Sequence, residues 1–340
     1  MQAVRQAGFG GRDQLSVGEV ALPKPLGKND VLVKVMAVSI NAADHHMLTG
    51  RPYITRVAVG LREIPGMDFS GVVAAVGSGV GHFASGEEVV GTADVACGAF
   101  AEFVSVPSKF VVKKPQDVDW EAAAALPTAG QTALQALRLG GAPAAGDSVL
   151  INGASGGVGS FAVQIAHHLG AHVTAVCSTR NVELVRSLGA DVVVDYSKDS
   201  IEAAAAVAGT HYDKIVDCVG RPGWHPLLKA KGAVVAVALP YPDSECVPCV
   251  LCSVLCSPWC CCCLSSRKAH AFMQEVKAAD LEELVAMMSE GKLRAVIGSQ
   301  FAGLSALPDA LAGKAIHGGC AGKIVVSLHG DGAPPEAMQR

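Results

Sequence analysis

The segment that decides the fold is Asn152-Gly153-Ala154-Ser155-Gly156-Gly157-Val158-Gly159. It follows an apolar, strand-like stretch at 148–152 and precedes a helix-like stretch at 161–169, whose apolar residues recur at helical spacing. Because glycine has no side chain, the backbone here can approach a pyrophosphate, and the helix N-terminus attracts its negative charge. We therefore interpret five of these residues as a dinucleotide-binding loop: Gly153, Gly156, Gly157, Val158 and Gly159.

The sequence after this loop alternates strand-like and helix-like segments. Further strands are predicted at 172–177, 191–195, 214–219 and 233–237, and they are nearly continuous in apolar residues. Such strands are typical of a parallel sheet that is covered by helices on both faces. The middle of the chain is therefore predicted to be a Rossmann-type, doubly wound α/β unit.

The first 120 residues have a different pattern. Segments at 31–38, 69–77, 88–91 and 101–106 are strand-like and are separated by glycine- and proline-containing turns. This pattern predicts a β-rich, barrel-like or sandwich-like lobe. The tail adds an amphipathic helix and a final strand at 323–328, and 340 residues suit two domains rather than one.

Composition excludes some classes of function. The net charge of −4, without any run of five lysines or arginines, gives no electrostatic basis for binding nucleic acid. The N-terminal residues lead directly into strand-like sequence, so a cleavable import signal is not recognisable. Of twelve cysteines, eight lie between Cys246 and Cys263. A disulfide scaffold would spread its cysteines along the chain, so we expect a reducing compartment.

The end of the second predicted cofactor strand bears on the choice of dinucleotide. NAD-selective sites usually place an acidic residue there to bind the ribose 2′-hydroxyl. This chain instead reads Ser178-Thr179-Arg180, and a guanidinium can bind a 2′-phosphate through paired hydrogen bonds. Ser178 and Arg180 therefore predict NADP, used as NADPH, whereas the alternative is a solvated arginine in the first turn of a helix.

Several segments in order resemble the medium-chain dehydrogenase/reductase superfamily, and within it the quinone oxidoreductase-like branch. They are Ser39–Asp44, Pro65–Gly71, Leu126–Ala133, the Gly153–Gly159 loop and Gly322–Val325. The chain looks especially like plant and algal quinone and enone reductases, which carry an Arg-Asn pair after the second cofactor strand. The resemblance extends from about residue 1 to residue 328.

This resemblance implies an α/β fold with a GroES-like, β-rich catalytic lobe beside the Rossmann-type parallel sheet, and a cleft between them. The implied division is 1–122 for the GroES-like domain, 123–265 for the NADP-binding domain, and 266–340 for a C-terminal segment that completes the catalytic domain. It also implies a homodimer. The compartment implied is the cytoplasm or, from the plant relatives, the chloroplast envelope or stroma.

Zinc-dependent members of the superfamily have a cysteine where this chain has Asn41, and Gly-His-Glu where it reads Gly66-Met67-Asp68. Because the thiolate and imidazole ligands are missing, we expect no catalytic metal. The expected reaction is hydride transfer from NADPH to a quinone or an α,β-unsaturated carbonyl, which needs no Lewis acid. The alternatives are a zinc-type alcohol dehydrogenase-like enzyme and a non-catalytic, crystallin-like NADPH-binding protein.

The resemblance also assigns site residues by matched position. Asn41 is expected near the nicotinamide and the substrate, and His46 or Tyr53 could donate a hydrogen bond or a proton. The alternative for His46 and Tyr53 is an ordinary surface or loop position. Further expected cofactor contacts are Thr128 and Lys323 beside the nicotinamide, Tyr196 near the adenosine phosphate, and Val219.

The cysteine-rich segment leaves three interpretations open. It could hold zinc or an iron–sulfur cluster, or its cysteines could carry lipid and allow peripheral membrane association. The interpretation that we favour is a divergent apolar or loop segment. Residues 246–266 include 21 positions without a charge, but Pro248 and Pro258 argue against an integral membrane span.

Overall fold

The computed structural model describes residues 1–23, 26–207, 211–221, 223–237, 268–312 and 320–328. The cysteine-rich segment from Cys246 to Cys263 lies outside these ranges, so the three interpretations of it stay predictions.

The strands of the described chain are β1 (Gln2–Gln6), β2 (Leu15–Glu19), β3 (Asp30–Ile40), β4 (Asp68–Val76), β5 (Glu88–Thr92), β6 (Phe103–Pro107), β7 (Val111–Lys113), β8 (Ser148–Asn152), β9 (His172–Cys177), β10 (Val192–Asp195), β11 (Tyr212–Asp217), β12 (Leu228–Ala236), β13 (Lys268–Ala271), β14 (Ile297–Ala302) and β15 (Lys323–Ser327). The α-helices of the same ranges are α1 (Ala42–Thr49), α2 (Ile54–Ala58), α3 (Trp120–Ala124), α4 (Pro127–Arg138), α5 (Gly157–His168), α6 (Val182–Ser187), α7 (Ile201–Val207), α8 (Ala278–Ser289) and α9 (Leu307–Ala312).

One sheet is parallel and has the strand order β10-β9-β8-β11-β12-β13 in the described residues. The order reverses direction between β8 and β11, so the carboxyl ends of these two strands flank a crevice in which open α/β sheets bind ligands. Helix α5 covers β8 and β9, and its Phe161 is fully buried. A buried phenylalanine contributes about 1.5–3 kcal/mol to stability. The prediction of a doubly wound parallel unit is confirmed.

The second sheet has the order β14-β15-β3-β4-β5-β7, with β6 also paired to β3. Strand β3 is its centre, because β4, β6 and β15 all pair with it in antiparallel register. The strand is dense in valine, and Val31, Val33 and Val35 lie in the core of this sheet. The predicted β-rich lobe, completed by the tail strand, is therefore also confirmed.

Two helices join the sheets. Helix α3 packs on β3, β4 and β15 of the antiparallel sheet, whereas α4 packs mainly on α5 and α8 and also touches β4 and β11. The predicted boundary at residue 122 thus falls within α3. The predicted boundary at 265 lies outside the described residues, and β13, which follows it, pairs with β12 in the parallel sheet. The division into domains stays a prediction, and sheet membership returns to the antiparallel side only at β14.

The start of β15 touches the glycine loop directly. The amide of Gly322 donates to the carbonyl oxygen of Ser155 at 2.7 Å, and Gly156 and Gly322 form an isolated parallel bridge. A side chain at Gly157 would meet Cδ of Lys323 at 2.9 Å, so the aliphatic stem of Lys323 lies against the loop. The tail strand therefore brings the antiparallel sheet to the edge of the predicted dinucleotide site.

Candidate active site

The glycine loop has the shape that a pyrophosphate requires. Strand β8 ends at Asn152, Gly153 has φ +76°, and α5 begins at Gly157. A Cβ at Gly159 would lie 2.2 Å from the carbonyl oxygen of Gly153, so a larger residue there would displace the loop. At Gly156 a Cβ would meet only that same oxygen, at 3.3 Å, which leaves the outer surface of the loop open. The cradle therefore fits a dinucleotide at the N-terminus of α5.

A buried asparagine connects this loop to the residues after β9. The Nδ2 of Asn181 donates to Oγ of Ser155 at 2.9 Å and to Oγ of Ser178 at 3.3 Å. Arg180 is exposed beside them. The sequence analysis noted Asn181 only as part of the Arg-Asn pair that resembles plant and algal reductases, and its contacts were not predictable because Ser155 lies 26 residues away. It fixes Ser178 and the glycine loop relative to each other.

The sequence placed no acidic residue at the end of β9, yet the structure brings one there from the next strand. Asp195 ends β10 and pairs in register with Cys177, the last residue of β9. A hydrogen bond from Thr179 holds the pKa of Asp195 below its usual range, and Lys198 forms an ion pair with it at 3.2 Å. The exposed Tyr196 follows directly. The negative charge of Asp195 is thus stabilised by Thr179 and Lys198 at this edge of the sheet.

The loop after β11 is organised by a second carboxylate. Asp217 accepts from Nδ2 of Asn152 at 2.8 Å and from Nε1 of Trp224 at 2.9 Å. It also accepts three backbone amides, those of Val219, Gly220 and Arg221. Val219 is 57% exposed and its Cγ2 lies against Gly153. Asp217 therefore sets the position of a predicted cofactor contact, a role that the sequence analysis did not assign.

The predicted nicotinamide-side residues meet around a third carboxylate, that of Asp68 on β4. Nδ2 of Asn41 donates to its Oδ2 at 2.9 Å. Thr128 donates twice, from its amide to Oδ2 at 3.0 Å and from its hydroxyl to Oδ1 at 2.7 Å. Nζ of Lys323 donates to Oδ1 of Asn41 and, at 3.1 Å, to the carbonyl of Ile40. Three positions that are far apart in sequence thus form one buried network beside the glycine loop.

A fourth carboxylate, that of Asp44, lies in the same network. Its Oδ2 accepts the backbone amide of Asn41 at 2.8 Å, which fixes the start of α1. Burial, together with a smaller contribution from the charge of Asp68, raises the pKa of Asp44 to about 7. Burial also lowers the pKa of Lys323, and the charges of Asp68 and Asp44 oppose that shift. The sequence analysis did not single out Asp44 or Asp68 as functional residues.

His46 and Tyr53 lie outside this network in the structure. Nδ1 of His46 is 2.9 Å from the carbonyl oxygen of Arg51. The ring of Tyr53 is 39% exposed and faces the guanidinium of Arg56 at 4.7 Å. That guanidinium also lies 4.9 Å from the ring of Phe9. These contacts leave both residues partly exposed and outside the buried network, at a position that we call the rim. The predicted catalytic role of His46 and Tyr53 stays a prediction.

The positions at which zinc ligands were considered have other partners. Met67 is buried with Met47 and Cys97, and Sγ of Cys97 lies 3.6 Å from Sδ of Met47. Burial raises the pKa of the Cys97 thiol to about 12. Within the described ranges, no group of three or more histidine, cysteine, aspartate or glutamate side chains is arranged to hold a metal ion. In those ranges, too, no helix combines the length and apolar composition needed to cross a bilayer.

Two family models match the chain. The model described as "Alcohol dehydrogenase GroES-like domain" matches residues 27–116, and the one described as "Zinc-binding dehydrogenase" matches residues 157–253. The first match covers β3 to β7 of the antiparallel sheet. The second begins at Gly157, the first residue of α5, which lies within the glycine loop.

Known proteins match this chain, two of those described here over nearly its whole length. A chloroplast envelope quinone oxidoreductase homolog from Arabidopsis thaliana is 37% identical over 339 residues, covering 96% of this chain and 98% of the relative. An NADPH-dependent alkenal/one oxidoreductase of the same plant is 34% identical over 65% of this chain and 58% of its own length. The solved structure of the quinone oxidoreductase from Coxiella burnetii has a TM-score of 0.83 at 29% identity, covering 97% of this chain and 99% of that one.

Proposed function

Because this chain belongs to the medium-chain dehydrogenase/reductase superfamily of oxidoreductases, we propose that it is an NADPH-dependent reductase of quinones or α,β-unsaturated carbonyls that works without catalytic zinc. The observation that carries the proposal is the meeting of Asn41, Thr128 and Lys323 around Asp68, beside the glycine loop. Relatives named as quinone and alkenal/one oxidoreductases support the substrate class.

The glycine loop and the edges of β9 and β11 would hold the dinucleotide. Backbone amides at the start of α5 would bind the pyrophosphate, since the first amides of a helix have no partner within it. Val219 and Tyr196 supply exposed side chains along the same edge, and Thr128 and Lys323 lie at its inner end. A bound NADPH supplies the hydride.

The preference for NADPH would come from Arg180. The guanidinium is exposed next to Ser178, whose hydroxyl is held by Asn181. A 2′-phosphate can accept paired, charge-assisted hydrogen bonds from arginine. Asp195 lies at the same edge, and the hydrogen bond from Thr179 and the ion pair with Lys198 reduce its repulsion of a phosphate.

The acceptor would bind at Asn41. An amide nitrogen carries two N–H groups, and one of them is donated to Asp68. The other can donate to a carbonyl oxygen of a quinone or enone, on which negative charge develops as hydride arrives. The ammonium of Lys323 on the amide oxygen increases the acidity of these N–H groups. We propose that one of the two residues outside the network, His46 or Tyr53, donates the proton, and a variant of Tyr53 separates these two alternatives.

Zinc independence is supported by the residue types at the ligand positions. Asn41 uses its amide for Lys323 and Asp68, and Met67 contributes a buried thioether to an apolar cluster. A quinone or enone is already electrophilic, so its reduction depends chiefly on orientation and on stabilising the developing oxyanion. These residues supply both without a Lewis acid.

The proposal extends to assembly and location as the family suggests. We propose a homodimer, and a compartment that is either the cytoplasm or the chloroplast, where relatives of this chain are named. Size-exclusion chromatography with light scattering and localisation of a tagged full-length chain would measure these two properties.

The decisive measurement follows oxidation of NADPH and NADH by absorbance, with a soluble quinone and with a short enone, each with and without a metal chelator. Turnover that prefers NADPH and resists chelation supports the proposal and identifies the acceptor class. Loss of turnover with chelator would contradict the proposal and favour the alternative of a zinc-type alcohol dehydrogenase-like enzyme. Tight NADPH binding without turnover of either acceptor would instead favour the non-catalytic binding protein.

A further inference from the structure

We infer that Asp68 is a positioning residue for this reaction, a buried carboxylate that fixes the Asn41 amide and Thr128 relative to each other. The inference rests on the proposed function, because it concerns the orientation of groups that would bind the acceptor and the nicotinamide. The carboxylate is fully buried, so it acts through its partners and does not touch substrate.

The donors to Asp68 come from three parts of the chain. Ser39 at the end of β3 donates from Oγ at 3.4 Å, and Asn41 donates from the N-cap of α1. Thr128 donates from the first turn of α4, where the helix dipole favours a negative charge. Since α4 packs on α5 behind the glycine loop, Asp68 connects the substrate side of the site to the cofactor side.

The charges on the two sides of Asn41 fix which way its amide points. Lys323 donates to Oδ1, and Asp68 accepts from Nδ2. Rotating the amide by half a turn would place its NH₂ against an ammonium and its oxygen against a carboxylate. Both contacts would be repulsive in a buried site, where charges interact strongly. The orientation with one N–H directed away from Asp68 is therefore fixed by electrostatics.

Asp44 makes the charge of Asp68 measurable. Its Oδ1 is buried and has no hydrogen-bond partner within the described residues, whereas Asp68 has four donors. A carboxyl group with few donors keeps its proton more readily. The groups that face it are Asp68 from β4, Lys323 from β15 and the Cys97 thiol. Removing the charge at Asp68 lowers the pKa of Asp44, so this pKa reports whether Asp68 carries the negative charge that orients the Asn41 amide.

The test compares Asp68→Asn with wild type and with Lys214→Met. Lys214 is buried near the start of β11, at the end of the strand away from Asp217. Its Nζ donates to the carbonyl oxygens of Leu137, Leu139 and Gly141. Its loss lowers stability without touching the site. We expect Asp68→Asn to lower kcat about 100-fold, the size of a misplaced reacting group. We expect the Kd for NADPH to stay within about threefold and Lys214→Met to keep kcat within about twofold at a temperature where both variants are folded.

The outcomes separate this inference from the proposed function. If wild type shows no turnover with any acceptor, the proposed function fails. If wild type turns over and Asp68→Asn loses no more kcat than Lys214→Met, the positioning role alone is wrong. Carboxyl-carbon NMR titration of Asp44 gives the independent reading: its pKa falls in Asp68→Asn if the charge acts as described, and an unchanged pKa overturns the inference.

A second pair of variants keeps the test decisive if Asp68→Asn does not fold. Thr128→Val removes the hydroxyl donor to Asp68 and retains the side-chain volume, and Thr128→Ser restores the donor. We expect kcat to fall about tenfold in the valine variant and to recover in the serine variant, a loss that corresponds to one charged hydrogen bond. Equal kcat values in the two variants would contradict the inference.

Discussion

Two buried carboxylates organise the two sides of the site in different ways. Asp217 lies at the cofactor side and takes four of its five donors from the next seven residues of the chain. Asp68 lies at the substrate side and takes its donors from residues 27 to 60 positions away. Both are about as buried, at 1% and 0% exposure. The difference is that Asp217 shapes one loop, whereas Asp68 holds separate elements together.

This difference explains how each side responds to mutation. A carboxylate with local donors can lose one contact and leave the rest of the fold in place. A carboxylate with distant donors couples a strand, a helix cap and a second helix, so a change there moves Asn41 and Thr128 relative to each other. We therefore expect mutations at the cofactor side to alter binding and mutations at the Asp68 network to alter kcat.

The largest effect is expected from Gly159→Val, which breaks the cofactor side. Its Cβ would lie 2.2 Å from the carbonyl oxygen of Gly153 and 2.8 Å from Cα of Ala154, so the loop has to move. We expect the affinity for NADPH to fall more than about 100-fold, or about 3 kcal/mol. Fluorescence titration measures the change. Gly18→Ala on β2, where a Cβ meets nothing within 4 Å, is the matched control.

Retention of NADPH binding in Gly159→Val would show that the dinucleotide does not lie on this loop. The place of this loop between a strand and a helix could be predicted from the sequence because its cause is local. Gly153 and Gly159 are required by backbone geometry within eight residues, and such requirements are visible in a short motif. The helix start was predicted four residues late, since α5 begins at Gly157 and its first glycines carry no apolar periodicity.

The substrate side was only partly predictable for the opposite reason. Matched position indicated Asn41, Thr128 and Lys323, but the residue that joins them, Asp68, was considered only as a missing zinc ligand. Its partners meet through strand pairing and helix packing, and no spacing in the sequence encodes those contacts. Asp44, Asn181 and Asp195 were missed in the same way. The parallel pairing of β13 was also not predicted, because the resemblance assigned residues 266–340 to the catalytic domain.

The second prediction tests whether Asp217 acts only on its loop. Asp217→Asn replaces an acceptor oxygen by an NH₂ group that faces backbone amides, so one or two charged hydrogen bonds are lost at about 1.5–3 kcal/mol each. We expect the Kd for NADPH to rise about 10- to 100-fold while kcat at saturating NADPH stays within about threefold. Steady-state kinetics separates the two constants.

Its control is Asp191→Asn, in which the carboxylate that accepts the Val173 amide lies at the other end of the parallel strands. We expect this variant to bind NADPH as wild type does. A fall in kcat for Asp217→Asn as large as that for Asp68→Asn would remove the distinction between the two carboxylates.

The third prediction concerns Arg180 and sharpens the cofactor side further. Arg180→Ala should weaken NADPH binding by about 1.5–3 kcal/mol and leave NADH binding unchanged, because only NADPH offers a 2′-phosphate to the guanidinium. Competition titrations with the two reduced cofactors give both constants. Arg186→Ala on α6, which removes an exposed ion pair with Glu183, is the charge-matched control. Equal losses for NADPH and NADH would mean that Arg180 does not bind the 2′-phosphate.

The fourth prediction uses the pKa of Asp44, about 7 in the fold against 3.8 for an ordinary aspartate. A proton bound more tightly in the folded state stabilises it at low pH, and that stabilisation is lost as pH rises from about 4 to about 7. Each pKa unit corresponds to about 1.4 kcal/mol. We expect Asp44→Asn to flatten this part of the profile and to raise the free energy of unfolding at pH 8 by about 1–2 kcal/mol.

Urea unfolding at a series of pH values measures this effect, and the exposed Asp13→Asn is the control. Profiles for wild type and Asp44→Asn that run parallel from pH 4 to 8 would contradict the prediction. A steeper fall in wild type alone would identify Asp44 as the group that carries the proton in the Asp68 network.

The smallest effect is expected at the rim, from Tyr53→Phe. The ring of Tyr53 packs on the guanidinium of Arg56, and phenylalanine keeps that contact while losing the hydroxyl. We expect kcat/KM to change by less than about threefold, because solvent reaches a side chain that is 39% exposed and can supply a proton in place of the hydroxyl. A loss of about 100-fold or more, the usual contribution of a general acid, would instead identify Tyr53 as the proton donor. That outcome would extend the catalytic machinery from the buried network to the rim.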